Sequence, residues 1–468
     1  MEAPTTRNAK FRTACDRCYK LKERCERASI SDNCARCDRL DLSCLIVRPI
    51  RPVGRRAHYM NSVTRLASRK SRKLAQNQPS IDSSLNVLPN LQPEEEELLS
   101  IFLSQSGNLD QFIAYPSSQS GMQQLFSVQL SSALPAFRDA FLACALSAKQ
   151  LQTGTAGDAD TTFSVRYILK AMDALRSLPV LSSQDAVLCH ALGGLLAFSI
   201  SSAIGVGVPD ICRHCLGTTT PFRGTIFSDA KDDPWGSFLI LLETMDCLMH
   251  RQKPISRIRV LTSVVDCRLG LCLPLLPYYH DLCVISNTLL NITDANDLAR
   301  LQKQLDDIHC IVEPWQPSQL NGLIERFDST EIVHLLAQAK IYRLGALLVG
   351  HRLRYPFGQE DSQAEIWSKE VMMELEMAKL VTKTSMRFVT LPFIIAAVEV
   401  RDENLRVKTL ERVDDCVDDF AQFMQKATKT FLSRVWHERD ANFTTRWFDS
   451  IHKPCPVLNA LTATCSTG

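Results

Sequence analysis

Six cysteines near the N-terminus fall into two matching halves: Cys15, Cys18 and Cys25, then Cys34, Cys37 and Cys44. Each half reads C-x(2)-C-x(6)-C, with eight residues between the halves. Thiolates at such spacing are ligands for zinc, and two tetrahedral ions present eight coordination positions. Six sulfurs fill those positions only if two of them bridge both ions, so the cofactor expected is Zn, two ions per cluster. The segment holds almost no large apolar residues and cannot fold on burial alone, so metal binding would supply the folding free energy. A disulfide framework needs a secretory route, and the opening residues Met1 to Arg7 carry no apolar leader segment. Four-ligand finger, RING and LIM sites need histidines or eight ligands, and residues 11–46 contain no histidine.

The charges divide the two halves. Two divalent ions and six thiolates leave a formal charge of about −2, which nearby cations must offset. The first half supplies Arg17, Lys20, Lys22 and Arg24, whereas the second carries Asp38, Arg39 and Asp41 in the matching loop. The halves are alike in metal geometry and unlike in charge. One is built to meet an anion, and the other mainly completes the cage.

From Ala14 through Cys25, and again over Cys34, Ala35, Arg36, Cys37 and Cys44, the chain resembles the fungal six-cysteine binuclear zinc cluster transcription factors. The resemblance implies that Cys15 and Cys34 bridge the ions. It also implies that the short helix after the second cysteine enters the DNA major groove and reads a CGG-type triplet. Lys22 stands at the position of the base-reading lysine, Arg24 matches the basic residue before the third cysteine, and Lys20 would lie along the phosphates with Arg17 beside it. Lysine can donate to guanine O6 and N7, while most protein–DNA hydrogen bonds go to the backbone. Tyr19 and Leu21 stand where the family usually has basic residues.

Charge along the whole chain agrees with a DNA-binding head. Residues 1–78 hold 19 Lys and Arg against 7 Asp and Glu, while the 468-residue chain as a whole is only +2. A basic head on an acidic body is the asymmetry expected when only the head meets nucleic acid. Residues 47–97 read as a basic, then polar linker. Arg48, Arg51, Arg55 and Arg56 alternate with Pro49, Pro52 and Gly54, and the basic run 69–73 follows. Arg55, Arg56 and that run form a candidate bipartite nuclear import signal, which places the protein in the nucleus. No sustained apolar heptads occur between 57 and 97, so dimerisation, if present, is carried elsewhere.

Residues 98–450 read as one all-helical regulatory domain, followed by a tail over 451–468. The fold class expected is thus a small N-terminal two-zinc six-cysteine domain over 11–46, joined by a flexible linker to a large all-α domain. Val165, Ile168, Leu169, Met172 and Leu175 repeat at helical spacing. Ser182 and Asp185 predict the start of a helix running through Ala203, and Asp328 with Glu331 predicts another. Leu298, Leu301, Leu305, Ile308 and Ile311 predict a helix that stops before Pro314. A further helix is expected from Glu403 to Arg434. The stretch from Ala339 to Leu348 with His351, Arg352 and Leu353 is similar to a helix of the fungal regulatory domain, and Trp436 to Asp440 to its closing segment.

Other chemistry in the body is thin. Twelve further cysteines read as reduced thiols packed as small hydrophobes. Cys212, Arg213, His214 and Cys215 form the one local group that could ligate metal, and they lack a second ligand pair. Gly193 and Gly194 read as a site of close helix packing, and the apolar run 238–242 is too short to span a membrane. The function predicted is a sequence-specific DNA-binding regulator of RNA polymerase II genes and not an enzyme. The resemblance extends this to control of a metabolic or secondary-metabolite gene cluster. Its expected partners are double-stranded DNA, a second copy in a homodimer, and the transcription machinery or co-regulators, with no membrane. The alternative is a metabolite-sensing or enzymatic helical protein in which the zinc cluster is only structural.

Overall fold

The computed structural model describes residues 14–22, 25, 33–45, 91–104, 110–118, 121–122, 124–126, 134–153, 158–222, 233–258, 265–290, 294–317, 322–444 and 446. They belong to two compact units, Met1–Gln78 and Pro79–Gly468. Among the described residues there is no strand, only an isolated bridge between Asp266 and Gly270. The linker segments 48–56 and 69–73, the tail 451–468 and Arg24 lie outside the described residues.

The first unit carries two one-turn helices, α1 (Asp16–Lys20) and α2 (Ala35–Arg39). The described residues of the second unit form helices and the turns that join them. Its elements are α3 (Pro93–Ser104), α4 (Leu134–Thr153), α5 (Asp158–Ser177), α6 (Ser183–Ala203), α7 (Val208–Thr218), α8 (Pro234–Met249) and α9 (Leu276–Leu289). There follow α10 (Ala295–Val312), α11 (Leu323–Arg326), α12 (Ser329–Arg354), α13 (Asp361–Thr382), α14 (Thr390–Ala397), α15 (Glu403–Glu411), α16 (Val413–Cys416) and α17 (Gln422–Asp440).

Caps fix the starts of the two central helices. The Ser182 hydroxyl accepts the Asp185 N–H (3.1 Å), while the Asp185 carboxylate takes the Leu181 N–H and the Ser182 O–H. Asp328 and Glu331 close a full capping box at α12. α6 and α12 are long and apolar enough to cross a bilayer, but most of each apolar window is buried, as in a core helix. Around α6 the packing is tight enough to need glycine. A Cβ on Gly194 would come within 2.1 Å of the Trp235 ring, and one on Gly193 within 2.3 Å of Cys215 Sγ. Trp235 and Phe198 in turn flank Phe112, with ring centroids 5.9 and 4.3 Å away.

Three helical expectations need amendment. On α5, Ile168 and Leu175 are buried, but Leu169 is 56% exposed, because it lies about 100° round the helix from Ile168. On α10, Leu301 and Leu305 are buried while Leu298 and Ile311 face outward, so the apolar stripe is narrower than its spacing implied. The continuous helix expected from Glu403 to Arg434 is instead α15, α16 and α17, broken after Cys416 where Val417 turns extended. The break brings Asp418 to the start of α14, where its carboxylate accepts the Phe388 N–H (2.8 Å) and the Thr390 hydroxyl (3.2 Å).

The C-terminal helix closes onto the end of α12. The Arg352 guanidinium makes a bidentate pair with Glu399 (2.9 and 2.7 Å), and both side chains are almost fully buried. Arg352 and Arg439 sit near the Phe357 ring, 4.9 and 4.8 Å from its centroid. Arg439 also donates to the Val398 carbonyl, Trp436 to the Ala397 carbonyl, and Arg446 to the Arg352 carbonyl. Both segments singled out by the family resemblance therefore meet at one place.

Candidate metal centre

The cysteine-rich unit is a duplicated piece of backbone. α1 starts one residue after Cys15 and α2 one residue after Cys34. Cys18 N–H donates to Cys15 Sγ and Cys37 N–H to Cys34 Sγ, each at 3.4 Å. Cys15 N–H donates to Cys25 Sγ and Cys34 N–H to Cys44 Sγ, each at 3.3 Å. The first two cysteines of each half, Cys15, Cys18, Cys34 and Cys37, are buried with all four sulfurs within 4.8 Å of one another. Cys25 and Cys44 are half-buried and pack against them.

The donor set suits a soft divalent ion. Cys15 Sγ lies 3.9 Å from Cys34 Sγ and 3.7 Å from Cys37 Sγ, and Cys18 Sγ is 3.7 Å from Cys34 Sγ. A zinc–sulfur bond of about 2.3 Å gives a tetrahedral sulfur–sulfur edge of ~3.8 Å. This buried four-cysteine group could therefore bind a metal ion.

Acidity singles out two of the sulfurs. Burial works against ionising Cys34, but the Cys37 N–H and the thiols of Cys37, Cys18 and Cys25 outweigh it and lower the group to about 6. Cys15 is likewise lowered against burial, by Cys18, Cys37 and Cys44. Burial raises Cys18 to about 12, with the neighbouring Cys15 and Cys34 adding to it. Cys15 and Cys34 are thus the two sulfurs whose ionised forms the surrounding donors favour, although all four sulfurs face partners from both halves.

The candidate DNA-contacting residues lie on the first half. Arg17 and Lys20 are exposed on α1. The helix begins before the second cysteine rather than after it, so it contains Cys18 and ends at Lys20. Lys22 therefore sits not on the helix but in the turn that ends it, exposed and with a left-handed φ of 55°. Its equivalent in the second half, Asp41, has a φ of 50°.

In the second unit, the Cys212 to Cys215 group does not converge. Both thiols are buried, His214 faces outward, and Arg213 pairs with Asp246. His190 is the centre of a hydrogen-bonded chain. Nδ1 lies 2.5 Å from Asp233 and Nε2 2.8 Å from the Thr219 hydroxyl, which donates to the Cys215 carbonyl. Burial disfavours its charged form, yet Asp233 outweighs that and raises its pKa. Asp233 also caps α8 through the Gly236 N–H. This fully buried chain ties α6, the end of α7 and the start of α8 together. Its spacing of 29 and 43 residues leaves no local sequence signal.

No curated protein and no solved structure matches the chain. The cysteine-rich segment itself matches no zinc cluster model, although its cysteines are consistent with one. Residues 237–456 match the model of the fungal specific transcription factor domain. That stretch spans α8 through α17, including the Arg352–Glu399 pair and the closing helix. The matched stretch covers somewhat less than half of the 468-residue chain, and it supports a transcription regulator.

Proposed function

We propose that this regulator binds duplex DNA in a sequence-dependent way through its six-cysteine head and acts on RNA polymerase II genes in the nucleus. Two zinc ions would be held by Cys15, Cys18, Cys25, Cys34, Cys37 and Cys44, with Cys15 and Cys34 shared. Zinc there would supply the cross-link that folds the head. Lys22 would contact guanine O6 and N7 of a CGG-type triplet. Lys20, Arg17 and Arg24 would lie along the phosphates and make the affinity strongly salt-dependent. Residues 11–46 form the DNA-binding domain in this reading, 47–97 the linker with its import signal, 98–450 the regulatory domain and 451–468 the tail. A second copy and co-regulators are the protein partners.

The observation that carries the reading is the repeated cysteine cage with Lys22 at one turn and Asp41 at its equivalent. A cage built only to hold metal has no need for that asymmetry. Selection of random duplex DNA by the full chain, with zinc and with chelator, tests it. Zinc-dependent enrichment of a CGG-like triplet is the expected result. Two bound ions with no sequence enriched would reject it.

A further inference from the structure

One helix of the second unit exposes an apolar stripe. On α13, Ile366, Met373, Met377 and Leu380 are each half-exposed or more, and Val381 continues the row. Elsewhere exposed apolar side chains such as Leu181 and Ile324 stand apart from one another in sequence. Contiguous apolar surface on a water-soluble face marks an interaction site. Along one edge the stripe opens into a groove of about 590 Å³ against α15, lined by Met372, Met373 and Leu405.

We propose that α13 pairs antiparallel with α13 of a second copy of this chain, about a two-fold axis at Met373. Two features of the helix identify the occupant. Ile366, Met373 and Leu380 recur every seven residues, so reversing the helix about Met373 lays Ile366 on Leu380 and Met373 on itself, while Met377 and Val381 come level with Lys369 and Glu365 at the margins. Self-complementarity of this kind is what an isologous interface requires.

The second feature is charge. Glu365, Lys369, Glu376 and Lys383 run along one edge of the stripe, all outside the core. In the two-fold arrangement equal edges face each other reversed. Lys369 then meets Glu376 of the second copy, and Glu365 meets Lys383, so each contact joins opposite signs. Within one chain Lys369 pairs with Glu365 (2.6 Å) and Glu376 with Arg412 (3.7 Å), both at the surface. Exposed pairs of this kind are weak enough to exchange or share partners. This interface does not depend on DNA or on the zinc head, and it supplies the dimer contact that residues 57–97 lack.

The test is sedimentation of the zinc-loaded full chain without DNA, over a concentration series up to roughly 100 μM. A monomer–dimer equilibrium is expected. Met373→Glu places two carboxylates together on the axis and should shift it toward monomer by at least about tenfold. Lys369→Glu should also weaken the dimer, and adding Glu376→Lys should restore it. The two positions lie about 10 Å apart along one helix, so that rescue reads contact between copies. All these residues are exposed, and unchanged helical circular dichroism with an unchanged melting midpoint would show that folding is intact. A wild-type chain that stays monomeric would overturn the proposal, as would insensitivity to Met373→Glu or a double variant no better than the single one. Occupation of the stripe by a different protein, or by another segment of this chain, would overturn it too.

Discussion

Lys22 and Asp41 occupy equivalent points of one repeated backbone, with φ of 55° and 50°, and they carry opposite charge. Left-handed φ disfavours residues other than glycine by about 1–2 kcal/mol, so neither position is where a bulky side chain is placed for stability. The cage fixes both turns alike. Only the first offers a cation to an anionic partner.

Replacing Lys22 with alanine should therefore cost on the order of 1–3 kcal/mol in discrimination between the preferred triplet and its single-base variants. Asp41→Lys should instead strengthen binding to all duplexes and steepen the salt dependence by about one counterion. Fluorescence anisotropy over a salt series separates the two. A Lys22→Ala protein that merely loses affinity evenly across sequences would reassign this residue to the phosphates.

Ion counting by native mass spectrometry addresses the bridging sulfurs. Cys34→Ala should lose both ions, because in the proposed arrangement its sulfur is shared between them. Cys25→Ala should retain one, because that cysteine packs at the margin of the group. Equal loss from the two variants would contradict shared sulfurs at Cys15 and Cys34.

Glu399→Ala leaves the Arg352 guanidinium buried with its main anionic partner gone. Breaking a buried pair from one side typically costs ~3–5 kcal/mol. Asp361 also reaches Arg352 (2.7 Å), which places the expected loss toward the lower end. Denaturant unfolding gives the value, and a loss below about 1 kcal/mol would mean the pair is not buried in solution.

Asp418 gives the second unit a particular pH response. Burial raises its carboxyl to about 6, against the hydrogen bonds from Phe388 and Thr390 that hold it down. The unfolded chain has this group near ~3.9, so the native state holds the proton more tightly. Its contribution to stability is complete below pH ~4 and lost as pH rises through about 6. Asp418→Asn keeps an acceptor for the Phe388 N–H and removes the titration. The wild-type stability relative to the variant should fall by roughly 3 kcal/mol over that window. A flat difference between the two unfolding curves would refute the assignment.

Features written in neighbouring residues were legible before the structure. The cysteine spacing announced the metal group, Ser182 and Asp328 announced two helix starts, and Gly193 with Gly194 announced close packing. What escaped depends on partners far along the chain. The helix break after Cys416 is favoured by Phe388 and Thr390, which receive Asp418, and nothing between 403 and 434 signals it. The Arg352–Glu399 pair and the His190 chain join positions 47, 43 and 29 residues apart. Leu169 and Leu298 satisfied helical periodicity yet face outward, because periodicity marks a face and not how wide a stripe the neighbouring helices cover.

The closure of α17 onto the end of α12 also bears on how the protein is made. Arg352, buried beside Phe357, is completed by contacts from Glu399 and Arg446, the latter 94 residues downstream. A ribosome will already have released α12 while those partners are still unsynthesised. The final packing of this half must wait until Arg446 has been synthesised. A stop codon anywhere between the codons for Arg352 and Arg446 should yield a chain that chaperones retain and proteases clear, rather than a shortened regulator.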